Sequence, residues 1–149
     1  MYRRILFPTD GSAASTRAAK TAIGLAQACG AQLVALHVIE PFMPTTYADA
    51  IVPYPELYSA DEYERITQKS AQRMLAKVQA RAEGANIGCE IEVVTAAPVW
   101  KAIIAAARRK RCDAIVMASH GRHGLEGLVL GSEAHKVLTH GKTPVLVCR

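Results

Sequence analysis

The sequence predicts an α/β fold: an open, parallel sheet with helices packed against it. Three observations predict this. Short apolar runs rich in Val, Ile and Leu alternate along the chain with segments of helical spacing. The composition is 50% hydrophobic but only 5% aromatic, so the core must be mostly aliphatic and alanine, which suits helices lying on a Val/Ile/Leu sheet. Third, the stretch from Asp113 to Ser132 runs from a β-branched apolar segment through a loop with Gly121, Gly124, Gly127 and Gly131 into an amphipathic segment. Strand, glycine-bearing loop and helix start, in that order, present backbone N–H groups to an anion.

Each element has its own signal. Arg4 is followed by I-L-F-P-T-D, an apolar strand ending at Pro8 with Asp10 just beyond it. Gly11-Ser12 punctuates the turn. Ser12 or Ser15 can cap the helix marked by Ala19, Ala22, Ile23, Ala26 and Cys29, which Gly30 stops. Residues 31–39, A-Q-L-V-A-L-H-V-I, are apolar enough for a strand buried on both faces. Glu40 to Leu57 contains Pro41, Pro44, Pro53 and Pro55, and so can be neither regular helix nor central strand. A loop of that length directly after a strand reads as a lid or partner surface, or else as a tolerated insertion.

Ser59-Ala60-Asp61-Glu62 is a capping box that opens the longest helix. Ile66, Ser70, Met74, Leu75, Val78 and Ala82 mark its inner side, Arg65, Lys69, Arg73 and Lys77 its outer side, and Gly84 its end. Cys89 to Thr95 alternates, with Glu90 and Glu92 opposed to Cys89, Ile91 and Val93, as expected for an edge strand. Pro98 fits the first turn of a helix through Trp100, Ile103, Ile104 and Ala107. Ala114 to Met117 is a strand, Ser132 caps a helix that Gly141 ends, and Pro144 to Cys148 is the last strand. The order β-α-β-(loop)-α-β-α-β-α-β implies right-handed crossovers and a parallel sheet. In such sheets ligands bind beyond the carboxyl ends of the strands, where strand order reverses. If the first strand and the 114–117 strand are neighbours, Pro8-Thr9-Asp10 and the Ser119–Ser132 loop share one crevice.

The totals bound the function. At 149 residues the chain is expected to form one domain, residues 1–149. The net charge of +5 owes much to Arg108-Arg109-Lys110-Arg111 at a helix end, where cations complement the dipole and stay solvated. No aromatic residue interleaves with that run, so nucleic acid is not the expected partner. Cys29, Cys89, Cys112 and Cys148 are scattered without metal spacing and read as free thiols. No run is long enough to span a bilayer and the N-terminal stretch is too short for a signal peptide, so the expected location is the cytoplasm.

Backbone amides around Gly121, Gly131 and Ser132 can take phosphate oxygens, aided by the Ser132 hydroxyl and the positive end of its helix. Asp10 can accept from ribose hydroxyls or help to hold a divalent cation through phosphate. The competing reading is structural, with turn-forming glycines and with Ser132 and Asp10 as caps. His120 and His123 flank Arg122, an arrangement that suits phosphate contact or solvent exposure better than a metal. His37 reads as a satisfied strand histidine. No nucleophile–base–orienter set is legible, and Ser132 lacks a G-x-S-x-G elbow, so no catalytic residue is assigned.

Along essentially its whole length the chain resembles the universal stress proteins. I-L-F-P-T-D-G-S at 5–12, A-L-H-V-I at 35–39, D-A-I-V-M-A-S-H-G-R from 113, L-V-L-G-S-E-A-H-K-V-L and the closing T-P-V-L-V carry the resemblance. It implies a three-layer Rossmann-like fold of the adenine nucleotide alpha hydrolase-like type, an open parallel five-stranded sheet ordered 3-2-1-4-5 with helices on both faces. It also implies ATP or AMP binding, with Mg2+ as an accompanying ion, through the motif G-x2-G-x9-G-[S/T]. Gly121 matches the second glycine and Gly131-Ser132 the end, with residues 122–130 between them. Ala118 stands at the first glycine's place. Its methyl either narrows the crevice or is tolerated if φ there is negative.

By resemblance, Asp10 and Val38 flank the adenine and ribose beside Pro8 and Thr9, Ala118 meets the ribose, and Gly121, Gly131 and Ser132 bind phosphates next to His120, Arg122 and Glu133. The same resemblance implies a homodimer joined through the C-terminal strand, Thr143, Pro144, Val145, Leu146 and Val147. Its implied role is a stress-response regulator in which any hydrolysis is slow and incidental. The alternative from another class is a nucleotide-free dimeric interaction protein of the same fold, with the Glu40–Leu57 loop on its partner surface.

Overall fold

The computed structural model describes residues 1–43, 59–121 and 130–149. Most of the Glu40–Leu57 loop, together with Arg122, His123, Gly124 and Gly127, lies outside the described residues. The elements run β1 (Arg4–Pro8), α1 (Ala13–Cys29), β2 (Gln32–Ile39), α2 (Ala60–Gly84), β3 (Cys89–Thr95), α3 (Val99–Arg109), β4 (Ala114–Ala118), α4 (Ser132–His140) and β5 (Val145–Cys148). They form one parallel sheet ordered β3-β2-β1-β4-β5. Alternate residues of the central strands face opposite layers. Ile5, Phe7, Leu33, Ala35, Ala114 and Val116 pack against α1 and α2. Leu6, Val34, Leu36, Ile115 and Met117 pack against α3 and α4. α1 meets the sheet through Ala18, Ala19, Ala22 and Ala26, so that helix approaches closely, as the alanine-rich composition requires.

Capping chemistry sets the ends. Ser12 caps α1 by accepting from the Ser15 amide at 3.1 Å, and Gly30 closes it in the left-handed region at φ 63°. Ser59 caps α2 by accepting from the Glu62 amide at 3.2 Å. Gly84 ends α2 as expected, and Asn86, at φ 59°, supplies the left-handed turn just beyond it, because Asn tolerates that region. Other expectations shift. Pro98 and Gly131 occupy the N-cap positions of α3 and α4, which makes Ser132 the first residue of its helix rather than the cap. The buried stripe of α2 is Ala71, Leu75, Val78 and Ala82, whereas Ile66 is 43% exposed and Ser70 is exposed. The cause is length. Twenty-five helical residues span about 37 Å, against roughly 25 Å for a strand of seven or eight, so the first half of α2 overhangs the sheet.

The amino end of the sheet is sealed by charge. Glu90 and Glu92 of edge strand β3 face the α3 side, where the basic run at the end of α3 meets them. Lys110 reaches Glu90 at 2.5 Å, Arg109 reaches Glu92 at 2.6 Å, and Arg4 also pairs with Glu90. The run is therefore not simply solvated. The Lys110 hydrogen bond, ahead of the Arg4 charge, holds the Glu90 carboxyl below its ordinary range. Burial works against the charge of Asp113, but amides of Arg3 and Arg4 donate to it at 2.9 and 3.1 Å, and its pKa is also lowered. Burial pushes the Cys89 and Cys112 thiols up to about 11, which keeps them protonated and unreactive.

Candidate functional site at the carboxyl end of the sheet

β1 and β4 lie side by side, with Ile5 opposite Ala114 and Leu6 opposite Ile115. Their chain connections leave in opposite directions, so the space beyond Pro8 and Ala118 is the switch point of the sheet. The chain turns sharply after β1. Thr9 stays on the sheet through its amide, which donates to the Leu36 carbonyl at 2.9 Å. Its hydroxyl donates to Ser15 Oγ at 3.0 Å and accepts from the Gly11 amide at 3.2 Å. Asp10 Oδ1 accepts from the Ser12 amide at 3.0 Å, which fixes the carboxylate over the turn. Gly11 sits at φ 75°, and a Cβ there would come within 2.8 Å of Met74 Cε. From β2, His37 donates through Nδ1 to the Thr9 carbonyl at 2.7 Å.

The other side is built by the end of β4 and the start of α4. The Ser119 carbonyl accepts from the Gly131 amide at 2.6 Å, and Ser119 Oγ lies 2.5 Å from His120 Nδ1. A Cβ on Gly131 would stand 2.8 Å from that carbonyl and 3.3 Å from His120 Cα, so glycine is what lets the two backbone segments meet. A Cβ on Gly121 would stand 2.7 Å from Asp10 Oδ2, which puts the glycine against the carboxylate just beyond β1. The Gly131 N–H is engaged by the Ser119 carbonyl. The Glu133 carboxylate accepts from the Trp100 amide at 2.7 Å and pairs with Lys136 at 3.4 Å. It thereby caps α3, whose own Pro98 offers no side-chain acceptor. The amides of the first turn of α4, Ser132 and Glu133 among them, have no carbonyl four residues back within the helix and point out of its positive end.

These walls enclose a cavity of about 610 Å³, within the usual range for small-molecule sites. Pro8, Thr9, Asp10, Val38, Ala118, His120, Gly121, Gly131, Ser132 and Glu133 all line it, while Arg122 lies outside the described residues. Ala118 closes β4 with a negative φ and belongs to the α1-side core, 8% exposed. Its methyl carries no backbone strain. Sequence reasoning missed the wall that α2 contributes. Tyr63, Thr67, Ser70 and Met74 line the same cavity, and so does His37. Their spacing, 63-67-70-74, is a helical stripe one position over from the buried 71-75-78-82, and could have been read. Among the described residues no three His, Cys, Asp or Glu side chains converge as metal ligands, and no helix is long and apolar enough to cross a membrane.

The sequence profile of the universal stress protein family matches residues 1–149. The chain belongs to that family. A universal stress protein of Methanocaldococcus jannaschii is 32% identical over 152 positions, covering 100% of this chain and 83% of the relative. Among solved structures, the universal stress protein UspA of Lactobacillus plantarum shares the fold with a TM-score of 0.83 at 24% identity, covering 99% of this chain and 98% of its own. A universal stress protein crystallised in complex with cAMP is 26% identical with a TM-score of 0.72, over 99% of this chain and 97% of that one. Family and fold thus agree with the order of strands seen in this universal stress protein.

Proposed function

We propose that this cavity binds an adenine nucleotide, ATP or AMP, and that occupancy serves a stress-response regulator rather than a catalyst. One observation carries the reading: every described residue expected from the nucleotide motif lines the same cavity between β1 and β4. A relative in complex with cAMP supports adenine recognition. Phosphates would lie at the start of α4, on the first-turn amides and the Ser132 hydroxyl, and His120 stands beside them. The ribose would meet Asp10 and the adenine Val38, with His37 and the α2 stripe as the far wall. Mg2+ fits only as an ion held chiefly by the phosphates and water with Asp10 as its protein carboxylate, since such ions need few protein ligands.

Mass spectrometry of nucleotide released from purified protein, followed by calorimetric titration with ATP and AMP, tests this. Co-purified adenine nucleotide, or saturable heat at or below about millimolar ligand, is the expected result. Silence in both would end the nucleotide reading and favour the nucleotide-free interaction protein.

A homodimer through residues 143–147 is part of the same proposal. Among the described residues β5 is an edge strand of the sheet with Leu146 43% exposed, an apolar ladder that a second copy could extend. Leu146→Lys should turn the dimer into a monomer in sedimentation velocity.

A further inference from the structure

Away from the cavity, on the outer side of α3 and α4, lies a shallow groove of about 540 Å³ lined by Trp100, Lys101, Ile104, Arg108, Arg109 and His140, with Ala105 at its floor. Helical spacing builds it: Trp100, Ile104 and Arg108 recur every fourth residue, and Lys101, Ala105 and Arg109 form the adjoining row. The basic run is thus joined in space by an aromatic residue that its own sequence neighbourhood lacks. Trp100 stacks on His140 with ring centroids 4.7 Å apart, and Lys101 Nζ lies 5.5 Å over the indole. Among the described residues no carboxylate lines the groove. Arg109 is held by Glu92 at its rim, while Lys101 and Arg108 are exposed.

We propose that this groove is a docking surface for an acidic segment of a partner protein, one that sets an apolar residue over Ile104 and Ala105 and carboxylates toward Lys101 and Arg108. Charge complementarity selects the partner: Lys101 and Arg108, which form no ion pair among the described residues, flank a small apolar strip, the pattern that recognises alternating acidic and apolar side chains. A central tryptophan with arginines around it is the composition of an energetic centre in protein interfaces. Single-stranded nucleic acid fits less well, because the indole already has a stacking partner and a cation, and base stacking would have to displace one of them. The proposal does not depend on nucleotide binding.

Trp100 is the only tryptophan in the chain, so its emission reports on the groove directly. The probe is a short peptide of alternating glutamate and leucine, titrated while tryptophan emission and the anisotropy of a labelled copy are followed. The glutamine-for-glutamate peptide and oligothymidylate serve as comparators. The expected result is saturable binding of the acidic peptide with a change in emission, weakened about tenfold by Lys101→Glu with Arg108→Glu. A matched reversal on the opposite face, Arg17→Glu with Lys20→Glu, should leave it within about twofold. All four positions are exposed, so folding should persist, and circular dichroism would verify it. Equal loss in the two double variants, equal binding of the glutamine peptide, tighter binding of oligothymidylate, or no peptide binding would each overturn the proposal.

Discussion

The two ends of this sheet are finished in opposite ways. At the amino end the helix-to-strand connections are short, and the charges near them pair with one another: Arg4, Lys110 and Arg109 neutralise Glu90 and Glu92, and Asp113 takes two strand amides, although Arg4 Nε and Glu92 Oε2 are buried without a hydrogen bond. At the carboxyl end the connections after β2 and β4 are long, and the local hydrogen bonds of Thr9, Asp10 and Ser119 serve to aim groups around a space of about 610 Å³. The same βα repeat thus has one end closed by charge pairs and one end arranged around a cavity. The difference lies in what the hydrogen bonds are spent on, not in how many polar residues each end holds.

Two glycines offer the largest break in that comparison. Gly131→Val forces a branched Cβ into the Ser119 carbonyl, 2.8 Å away on rigid backbone, so the junction of β4 and α4 must open. Affinity for ATP should fall at least about 100-fold, roughly 2.7 kcal/mol, by calorimetry. At the amino end, a Cβ on Gly88 meets only Gln32 Cγ at 4.0 Å. Gly88→Ala should change unfolding free energy by less than about 0.5 kcal/mol and leave affinity alone. Comparable losses at both glycines would erase the distinction between the ends.

Gly121→Ala is gentler, because the atom in its way is the tip of a side chain, Asp10 Oδ2 at 2.7 Å. The carboxylate can turn, but only away from the position that its bond to the Ser12 amide now fixes. ATP affinity should drop about tenfold with the thermal midpoint nearly unchanged. An unaltered affinity would remove Asp10 from the ribose reading.

The amino end predicts the reverse pattern. Lys110→Met takes the main partner from Glu90, so stability should fall by about 1 kcal/mol or less, with ATP affinity unchanged. The pH dependence follows in sign. Glu90 has a folded pKa below its unfolded value, so its contribution is complete above the unfolded value and is lost as pH falls through the folded one. Urea unfolding of the wild type should therefore weaken on acidification, and Lys110→Met should weaken less steeply. Parallel curves would show that the pair contributes nothing measurable.

The fold was largely legible because its signals are local. The strands are short apolar runs, the caps are Ser12 and Ser59, and the alternation of Glu90 and Glu92 marked an edge before any neighbour was known. Of the site, the two halves at Asp10 and at Gly121–Ser132 could be read because each is a contiguous motif. The α2 wall was missed although its helical spacing was legible, because Ser70 and Met74 were assigned to the core. Only the overhang of a long helix beyond shorter strands turns them toward the cavity. Nor could sequence show that Glu133 caps α3 or that Gly131 spends its amide on Ser119, since both partners are distant along the chain. The pairing of Trp100 with His140 was hidden for the same reason.

The smallest expected effect concerns the one departure from the family motif. Ala118 pairs with Cys148 at the end of β4, has a negative φ, and turns its methyl into the core that includes Ala114, Val116 and α1. It needs no glycine for backbone reasons, and the methyl is part of the packing that holds the strand end in place. Ala118→Gly should therefore leave ATP affinity within about twofold while costing roughly 0.5–1 kcal/mol of stability, the usual penalty for glycine in a strand. Calorimetry and urea unfolding of the same preparation separate the two terms. A tenfold gain in affinity, about 1.4 kcal/mol, would mean that the methyl obstructs the ligand after all, and the carboxyl end would then be a binding site narrowed at its own floor.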